Sequence, residues 1–96
     1  MEEVTRRIAE QIGRRIRRRR RDQELSQETI AWRAEIHRTH MTLIEHGERL
    51  PRVDTLIKLA AAVGASPREL LDGLAWEIGD GRPGRLVVTP TGGGDE

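Results

Sequence analysis

The spacing of apolar residues predicts a first helix over about residues 3–23. Its apolar positions recur every four residues, at Val4, Ile8, Ile12 and Ile16. Residues four apart share one face of a helix. Seven of the eight residues from Arg14 to Arg21 are arginine, but they lie on this amphipathic helix, because its apolar stripe runs through them as far as Ile16. This placement argues against a structureless basic arm.

Two short helices are expected next, joined by a tight turn. Ser26 is typical of a helix N-cap because its hydroxyl can accept a backbone N–H, and it predicts a second helix over 27–34. A turn at residues 35–36 leads to a third helix over about 38–46. Gly47 is expected to end that helix, since glycine readily takes the left-handed conformation there.

Two further helices are predicted before the pattern changes. The fourth covers about residues 53–63 and ends at Gly64. The segment Ser66-Pro67-Arg68-Glu69 then predicts a helix start, with serine at the N-cap, proline at the first position and glutamate at the third. The buried candidates of this fifth helix are Leu70, Leu71 and Leu74.

The end of the chain has a different pattern. Glycines and Pro83 follow Trp76 and lead into residues 85–89, which predict one short strand. Residues 90–96 are polar and rich in glycine, and we expect them to be disordered. The sequence therefore predicts an all-α domain over residues 1–75 and a C-terminal extension over 76–96 that contains the strand.

Composition excludes several classes of function. The 96 residues contain no cysteine, which removes disulfides, thiolate metal sites and cysteine catalysis. His37 and His40 are three apart, but without cysteine or a convergent carboxylate they do not indicate a metal site. Neither a Gly-rich phosphate loop nor a nucleophile–histidine arrangement occurs. We expect a protein without enzymatic activity, metal or cofactor.

The charge is unevenly distributed along the chain. Residues 1–52 hold 13 arginines and 9 acidic residues, a net charge of +4, whereas residues 53–96 hold 4 basic and 7 acidic residues, a net charge of −3. A basic half indicates an anionic partner, most often nucleic acid. No apolar run approaches the roughly 18 residues of a membrane span, and a cytoplasmic, nucleoid-associated location is expected.

Five short helices with a tight connection between the second and third indicate a helix-turn-helix domain. The chain resembles the Cro/repressor-type, or lambda-repressor-like, helix-turn-helix family in "IGRRIRRRR", in "LSQETIAWRAEIHRTHMTLIEHGERLPRVDTLIKLAAAVGASPRELL" and in the spacing between them. The resemblance covers about residues 12–74. One departure is Glu35, which stands where the turn of this family usually has glycine.

The resemblance implies sequence-specific binding of duplex DNA, with the third helix in the major groove. It also implies that Gln27, at the start of the second helix, donates a hydrogen bond to a backbone phosphate. Glu45 matches a family glutamate that pairs with an arginine of the first helix, which by spacing is Arg20, with Arg17 or Arg21 as the alternative donor.

The outward residues of the third helix are the candidates for reading bases. A guanidinium fork fits guanine O6 and N7, while threonine and leucine offer a hydroxyl or a methyl contact. The base-contact candidates are Arg38, Thr39, Thr42 and Leu43. Arg38 and Leu43 have the alternative of being ordinary exposed residues.

Other polar residues are expected to hold the DNA backbone, which positions a protein without reading sequence. The phosphate-contact candidates are Gln27, His37, Arg49 and Arg52. His37 could instead cap the third helix. For Trp32 two roles are open: it could cover the edge of the domain, or it could lie against the DNA backbone. The arginines expected to form a solvated positive surface are Arg14, Arg15, Arg18, Arg19 and Arg21.

The C-terminal apolar residues exceed what a five-helix core of this size needs. A lone strand leaves its backbone groups unpaired, so it needs a partner. We expect a homodimer in which the strand pairs with its mate, and the alternative is a strand folded back on its own domain. The dimerisation candidates are Leu70, Leu74, Trp76, Leu86 and Val88.

Together these features predict a homodimeric transcriptional regulator, an (auto)repressor or controller that binds a pseudo-palindromic operator in double-stranded DNA. The alternative is an antitoxin whose C-terminal segment binds a toxin protein. A third interpretation, a basic helix on an anionic membrane, is weak because the first helix lacks Trp and Phe anchors. We expect no membrane partner.

Overall fold

The computed structural model describes residues 1–89, which form a mostly helical domain followed by a small antiparallel sheet. The elements in chain order are α1 (Glu3–Asp22), α2 (Gln27–Ala34), α3 (Arg38–Glu45), α4 (Val53–Ala62), α5 (Pro67–Leu71), β1 (Leu74–Gly79) and β2 (Arg82–Val88). The tail expected over residues 90–96 lies outside the described residues. No helix within residues 1–89 is long and apolar enough to cross a membrane.

Side-chain caps begin three of the helices where the sequence predicts them. Ser26 Oγ accepts the Thr29 backbone N–H at 3.0 Å at the start of α2. Ser66 Oγ accepts the Glu69 N–H at 3.2 Å at the start of α5. His37 Nδ1 accepts the N–H of Thr39, one residue into α3, at 3.1 Å. Each cap satisfies one of the N–H groups that a helix start leaves without an internal partner.

One apolar core joins all five helices. Helix α1 packs on α3, α2 packs on both α3 and α4, and α5 closes the core against α1 and α4. The largest fully buried side chains are Ile16, Ile30, Met41, Ile44, Leu59, Val63 and Leu70. The apolar stripe predicted for α1 is thus, from Ile8 to Ile16, the face that this helix contributes to the core.

Helices α1 and α3 come into backbone contact at Gly13. A Cβ at this position would overlap the Ile44 carbonyl oxygen and would lie 2.8 Å from the Glu45 oxygen. Only a residue without a side chain lets the two helices approach so closely. This contact sets how far α3 stands from α1.

The turn between α2 and α3 keeps a left-handed residue although it has no glycine. Glu35 has φ +58° and ψ +44°, and the Ile36 N–H closes the turn on the Ala31 carbonyl at 3.0 Å. A non-glycine residue in this conformation costs roughly 1–2 kcal/mol. The departure from the family pattern therefore changes the energy of the turn rather than its geometry.

The expected end of the chain is partly wrong. Helix α5 stops at Leu71 instead of reaching Leu74, because Gly73 turns the chain with φ +81°. Residues 74–79 then form a strand that pairs with β2, so two strands replace the single predicted one. Val88 lies opposite Leu74, and the expected domain boundary at residues 75–76 falls inside β1. The strand folds back on its own chain, as the alternative stated.

The arginine run of α1 is also only partly solvated. Arg15 is 9% exposed, and its Nη1 donates to the carbonyls of Leu70 at 3.1 Å and of Asp72 at 2.6 Å. The expectation that Arg15 belongs to a solvated surface is therefore wrong. The last carbonyls of a helix lack internal partners, and Arg15 supplies donors to those at the end of α5. Arg19 remains half-buried and pairs with Glu69 at 2.7 Å.

Side chains from the end of α1 and from α2 hold the end of α4 in the same way. Gln23 Nε2 donates to the Val63 carbonyl at 2.9 Å, and Arg33 Nη1 donates to the Ala62 carbonyl at 3.0 Å. These contacts were not predicted, because the sequence does not show which helix end lies beside which side chain.

Candidate nucleic-acid interface

The N-terminal half of α3 presents exposed polar side chains. Arg38, at the first position of the helix, has 62% of its side chain exposed, and Thr39 is also exposed. One turn further on, Thr42 and Leu43 are half-buried. The opposite face of α3 carries Met41 and Ile44 into the core. The four base-contact candidates therefore lie on the outward side of the helix, two fully exposed and two at its margin.

A network of hydrogen bonds connects α1, α2 and α3 at this margin. Arg20 donates from Nε to Glu45 Oε2 at 2.6 Å and from Nη2 to Glu45 Oε1 at 3.0 Å. Gln27 Nε2 donates to the same Oε1 at 2.9 Å. Thr42 Oγ1 lies 3.0 Å from Gln27 Oε1. The structure thus brings Arg20 and Glu45 into contact, and joins Gln27 to Thr42 as well.

The ion pair at the centre of this network is shielded from water. The side chain of Glu45 is fully buried, and that of Arg20 is 12% exposed. The hydrogen bond to Glu45 and its negative charge raise the pKa of Arg20 above its ordinary value, although burial acts in the opposite direction. The guanidinium therefore keeps its charge, and it holds Glu45 of α3 from the side of α1.

The phosphate-contact candidates lie on either side of α3 along the chain. Gln27 begins α2, whereas Arg49 and Arg52 are exposed residues of the connection between α3 and α4. Arg52 approaches Asp54 at 3.3 Å, and Arg38 approaches Glu28 at 3.8 Å. Exposed pairs of this kind contribute about 0–1 kcal/mol. Because both ion pairs are weak, either arginine could leave its carboxylate and bind a phosphate or a base instead.

His37 caps the third helix, which was its alternative role, and its phosphate contact stays a prediction. Its Nδ1 is used in the cap of α3, while the residue as a whole remains exposed. The second ring nitrogen is the atom with which it would contact a phosphate. Trp32, for which two roles were open, is 80% exposed. No group of three or more metal-ligating residues occurs within residues 1–89.

Comparison with known proteins identifies the family. A family model described as a helix-turn-helix domain matches residues 11–74, which is more than half of the chain. The chain belongs to the Cro/repressor-type helix-turn-helix family. Its restriction-modification controller relative C.AhdI from Aeromonas hydrophila superposes with a TM-score of 0.62 and 35% sequence identity, over 65% of this chain and 94% of that one.

The chain is also similar to two further regulators. The control protein C.BamHI from Bacillus amyloliquefaciens is 40% identical over 48 residues, which cover 50% of this chain. The alignment spans 59% of that relative's length. The apo competence regulator ComR from Streptococcus vestibularis superposes with a TM-score of 0.63 and 38% identity, over 68% of this chain and 22% of that one.

The hairpin β1–β2 begins where the family match ends, at residue 74. Opposite residues of an antiparallel pair lie on the same face, which places Leu74, Trp76, Leu86 and Val88 together. Trp76 on this face is 53% exposed, and Ile78, where the strand pairing is irregular, is 73% exposed, so the hairpin carries apolar surface. The indole of Trp76 lies over Gly84, where a Cβ would overlap its Nε1.

Two of the five dimerisation candidates are buried within the single chain. Leu70 is 1% exposed and belongs to the helical core, and Leu86 is 9% exposed. These two side chains pack within the single chain, and their part in a dimer contact stays a prediction. Leu74 and Val88 are half-buried, and Trp76 remains exposed. Ile78, which was not among the candidates, is the most exposed apolar residue of the hairpin.

Proposed function

We propose that the protein is a sequence-specific DNA-binding transcriptional regulator, a repressor or controller that places α3 in the major groove. The observation that carries this proposal is the outward face of α3, whose exposed Arg38 and Thr39 stand on a framework fixed by Arg20 and Glu45. The similarity to C.AhdI, C.BamHI and ComR, which are controller proteins or regulators, supports it.

Each side chain of α3 has a contact that suits its chemistry. The Arg38 fork fits guanine O6 and N7, a pairing that gives about 1–3 kcal/mol of discrimination against the wrong base. Thr39 and Thr42 offer hydroxyl and methyl groups to base edges, and Leu43 offers an apolar contact to a thymine methyl. Specificity therefore lies in four residues of one helix face.

Affinity comes from contacts that do not read sequence. Gln27, His37, Arg49 and Arg52 are assigned to phosphates on either side of the groove. The exposed arginines of the run over residues 14–21, which are Arg14, Arg18 and Arg21, add positive potential that attracts DNA. Binding is then expected to weaken steeply as salt rises, because each neutralised phosphate releases counterions.

We further propose that the regulator acts as a homodimer through the exposed face of its hairpin. Trp76 and Ile78 are the most exposed large apolar side chains of the hairpin, and a two-stranded sheet by itself is marginally stable in water. Burying both side chains against a second copy would remove them from water and place two α3 helices on one DNA. Such a two-fold dimer suits a pseudo-palindromic site.

In vitro selection from random duplex DNA tests the DNA-binding proposal. The expected result is a two-fold site whose half-sites are about 10–10.5 base pairs apart. An Arg68→Ala variant is the matched control, because Arg68 is an exposed arginine on α5. It should select the same site, whereas failure of the wild-type protein to enrich any sequence would contradict the proposal.

Sedimentation velocity tests the dimer surface. Wild-type protein should sediment as a dimer, and a Trp76→Ser, Ile78→Ser double variant should shift to monomer without loss of helical signal. Arg68→Ala again serves as the control. A monomeric wild-type protein, or a double variant that remains dimeric, would exclude the hairpin face as the dimer contact.

The same apolar face supports a second candidate function, that of an antitoxin. In that case Trp76 and Ile78 would be covered by a toxin protein encoded beside this chain. Co-expression with the neighbouring gene product, followed by purification, distinguishes the two functions. A stoichiometric complex that the serine double variant abolishes would establish the antitoxin, and recovery of the regulator alone would exclude it.

A further inference from the structure

We propose that Thr42 reads DNA as a hydrogen-bond acceptor only, because the buried Glu45 carboxylate fixes the direction of each hydrogen bond between α1 and Thr42. The base edge that suits it is therefore an exocyclic amino group, adenine N6 or cytosine N4. This inference rests on the proposed function and deepens it. It states which partner, Thr42 or the base, donates the hydrogen bond in one contact of α3.

The first step concerns the orientation of the Gln27 amide. Glu45 receives two hydrogen bonds from Arg20 and is therefore a carboxylate, which accepts hydrogen bonds and has none to donate. The atom of Gln27 that lies 2.9 Å from Glu45 Oε1 must then be the amide nitrogen. A flipped amide would place two oxygens together without a proton between them. The amide is thus held with Oε1 pointing away from Glu45.

The second step concerns the Thr42 hydroxyl. Its Oγ1 lies 3.0 Å from Gln27 Oε1 and 3.1 Å from the Arg38 backbone carbonyl oxygen. Both neighbours are acceptors, and a hydroxyl has a single proton. Whichever neighbour accepts that proton, the proton is used within the protein and is not available to a DNA base. What Oγ1 has left for a DNA base are its lone pairs.

The third step follows from the chemistry of the major groove. Adenine N6 and cytosine N4 donate there, whereas guanine O6, thymine O4 and the purine N7 atoms accept. A contact between Thr42 Oγ1 and an accepting atom would require the proton that the network already uses. Thr39 differs, because its hydroxyl is not part of this network and can turn to donate or to accept.

Single-atom changes in the DNA test the inference with the full-length protein. The probe is the duplex recovered by in vitro selection, in which one exocyclic amino group at a time is replaced by hydrogen. A parallel series replaces purine N7 with carbon. Dissociation constants are measured for wild-type protein, for Thr42→Val, which removes the hydroxyl and keeps the shape, and for the matched control Thr39→Val.

At one position in each half-site, loss of the amino group should weaken wild-type binding about fivefold, the value of one hydrogen bond. The same change in the DNA should weaken binding of the Thr42→Val variant less than about twofold. It should weaken binding of the Thr39→Val variant about fivefold, as for the wild-type protein. Thr42→Ser retains the hydroxyl and should restore the effect. Any general weakening caused by the loss of the Gln27 contact affects all duplexes equally and cancels in these ratios.

Two results would overturn the inference. In the first, the Thr42→Val variant loses sensitivity to replacement of a purine N7 rather than of an amino group. In the second, the protein binds a duplex specifically, but Thr42→Val and wild-type protein respond alike to every single-atom change in it. Either result leaves the proposed function intact. Failure to recover any specific duplex would instead refute the proposed function, and this inference with it.

Discussion

Breaking the Arg20–Glu45 pair should destabilise the domain strongly. Glu45→Gln keeps the shape of the side chain but leaves the guanidinium, 12% exposed, without its counter-charge. Removing one partner of a buried pair costs about 3–5 kcal/mol. The lower end applies here, because the new amide oxygen can accept one bond and Leu25 retains its 2.9 Å contact with Arg20 Nη1. We therefore expect a loss of about 3 kcal/mol.

That loss is large compared with the stability of the whole domain. A domain of this size has a free energy of unfolding of about 5–13 kcal/mol. With a urea dependence of about 1.5 kcal/mol per molar, the unfolding midpoint should fall by about 2 M. Circular dichroism during a urea titration measures this shift. A decrease of less than about 1 kcal/mol in the free energy of unfolding would show that the pair contributes no more than an exposed ion pair, and would refute this account.

A double variant separates stability from DNA binding. Replacing a buried ion pair with apolar residues of similar size is often neutral or stabilising, so Arg20→Met with Glu45→Leu should recover most of the stability. It should nevertheless bind DNA about tenfold or more weakly, because the Gln27 amide has lost the carboxylate that orients it. Full recovery of both properties would show that the pair has no role in positioning Gln27.

Three further substitutions have defined outcomes. Gly13→Ala should lower the free energy of unfolding by about 1–3 kcal/mol, because the new methyl meets the backbone of α3. Glu35→Gly should raise the free energy of unfolding by up to about 1 kcal/mol by relieving the strain of φ +58°, and a lower urea midpoint would contradict this explanation. Arg15→Met should cost about 2 kcal/mol, since it uncaps α5 but also removes a buried Nε that has no partner among the described residues. Urea unfolding measures all three, and an unchanged midpoint for Arg15→Met would show that the α5 cap is dispensable.

The helices could be predicted because their signals are local. The apolar positions of α1, the caps Ser26 and Ser66, and the glycine after α3 act within one or two turns of chain. The hairpin could be predicted only in part, since β1 follows a helix of similar apolar pattern and becomes a strand by pairing with β2. A pairing partner is not visible in either segment alone.

The contacts between elements could be predicted only where the family resemblance supplied them. Arg15 and Arg14 are neighbours in an arginine run, and only the position of α5 decides that one is buried and the other exposed. The bond between Thr42 and Gln27 likewise depends on how α2 crosses α3. Sequence placed Thr42 among the base contacts, but not the partner that determines what its hydroxyl can offer.

The most direct test of DNA recognition by α3 compares two arginine variants on the selected duplex across a range of salt concentrations. Arg38→Ala should relax the base preference at one position of each half-site and leave the other positions unchanged. Arg52→Ala should weaken binding to all sequences equally and reduce the salt slope by about 1. If the two variants change base preference and salt slope in the same way, α3 does not read the DNA as proposed.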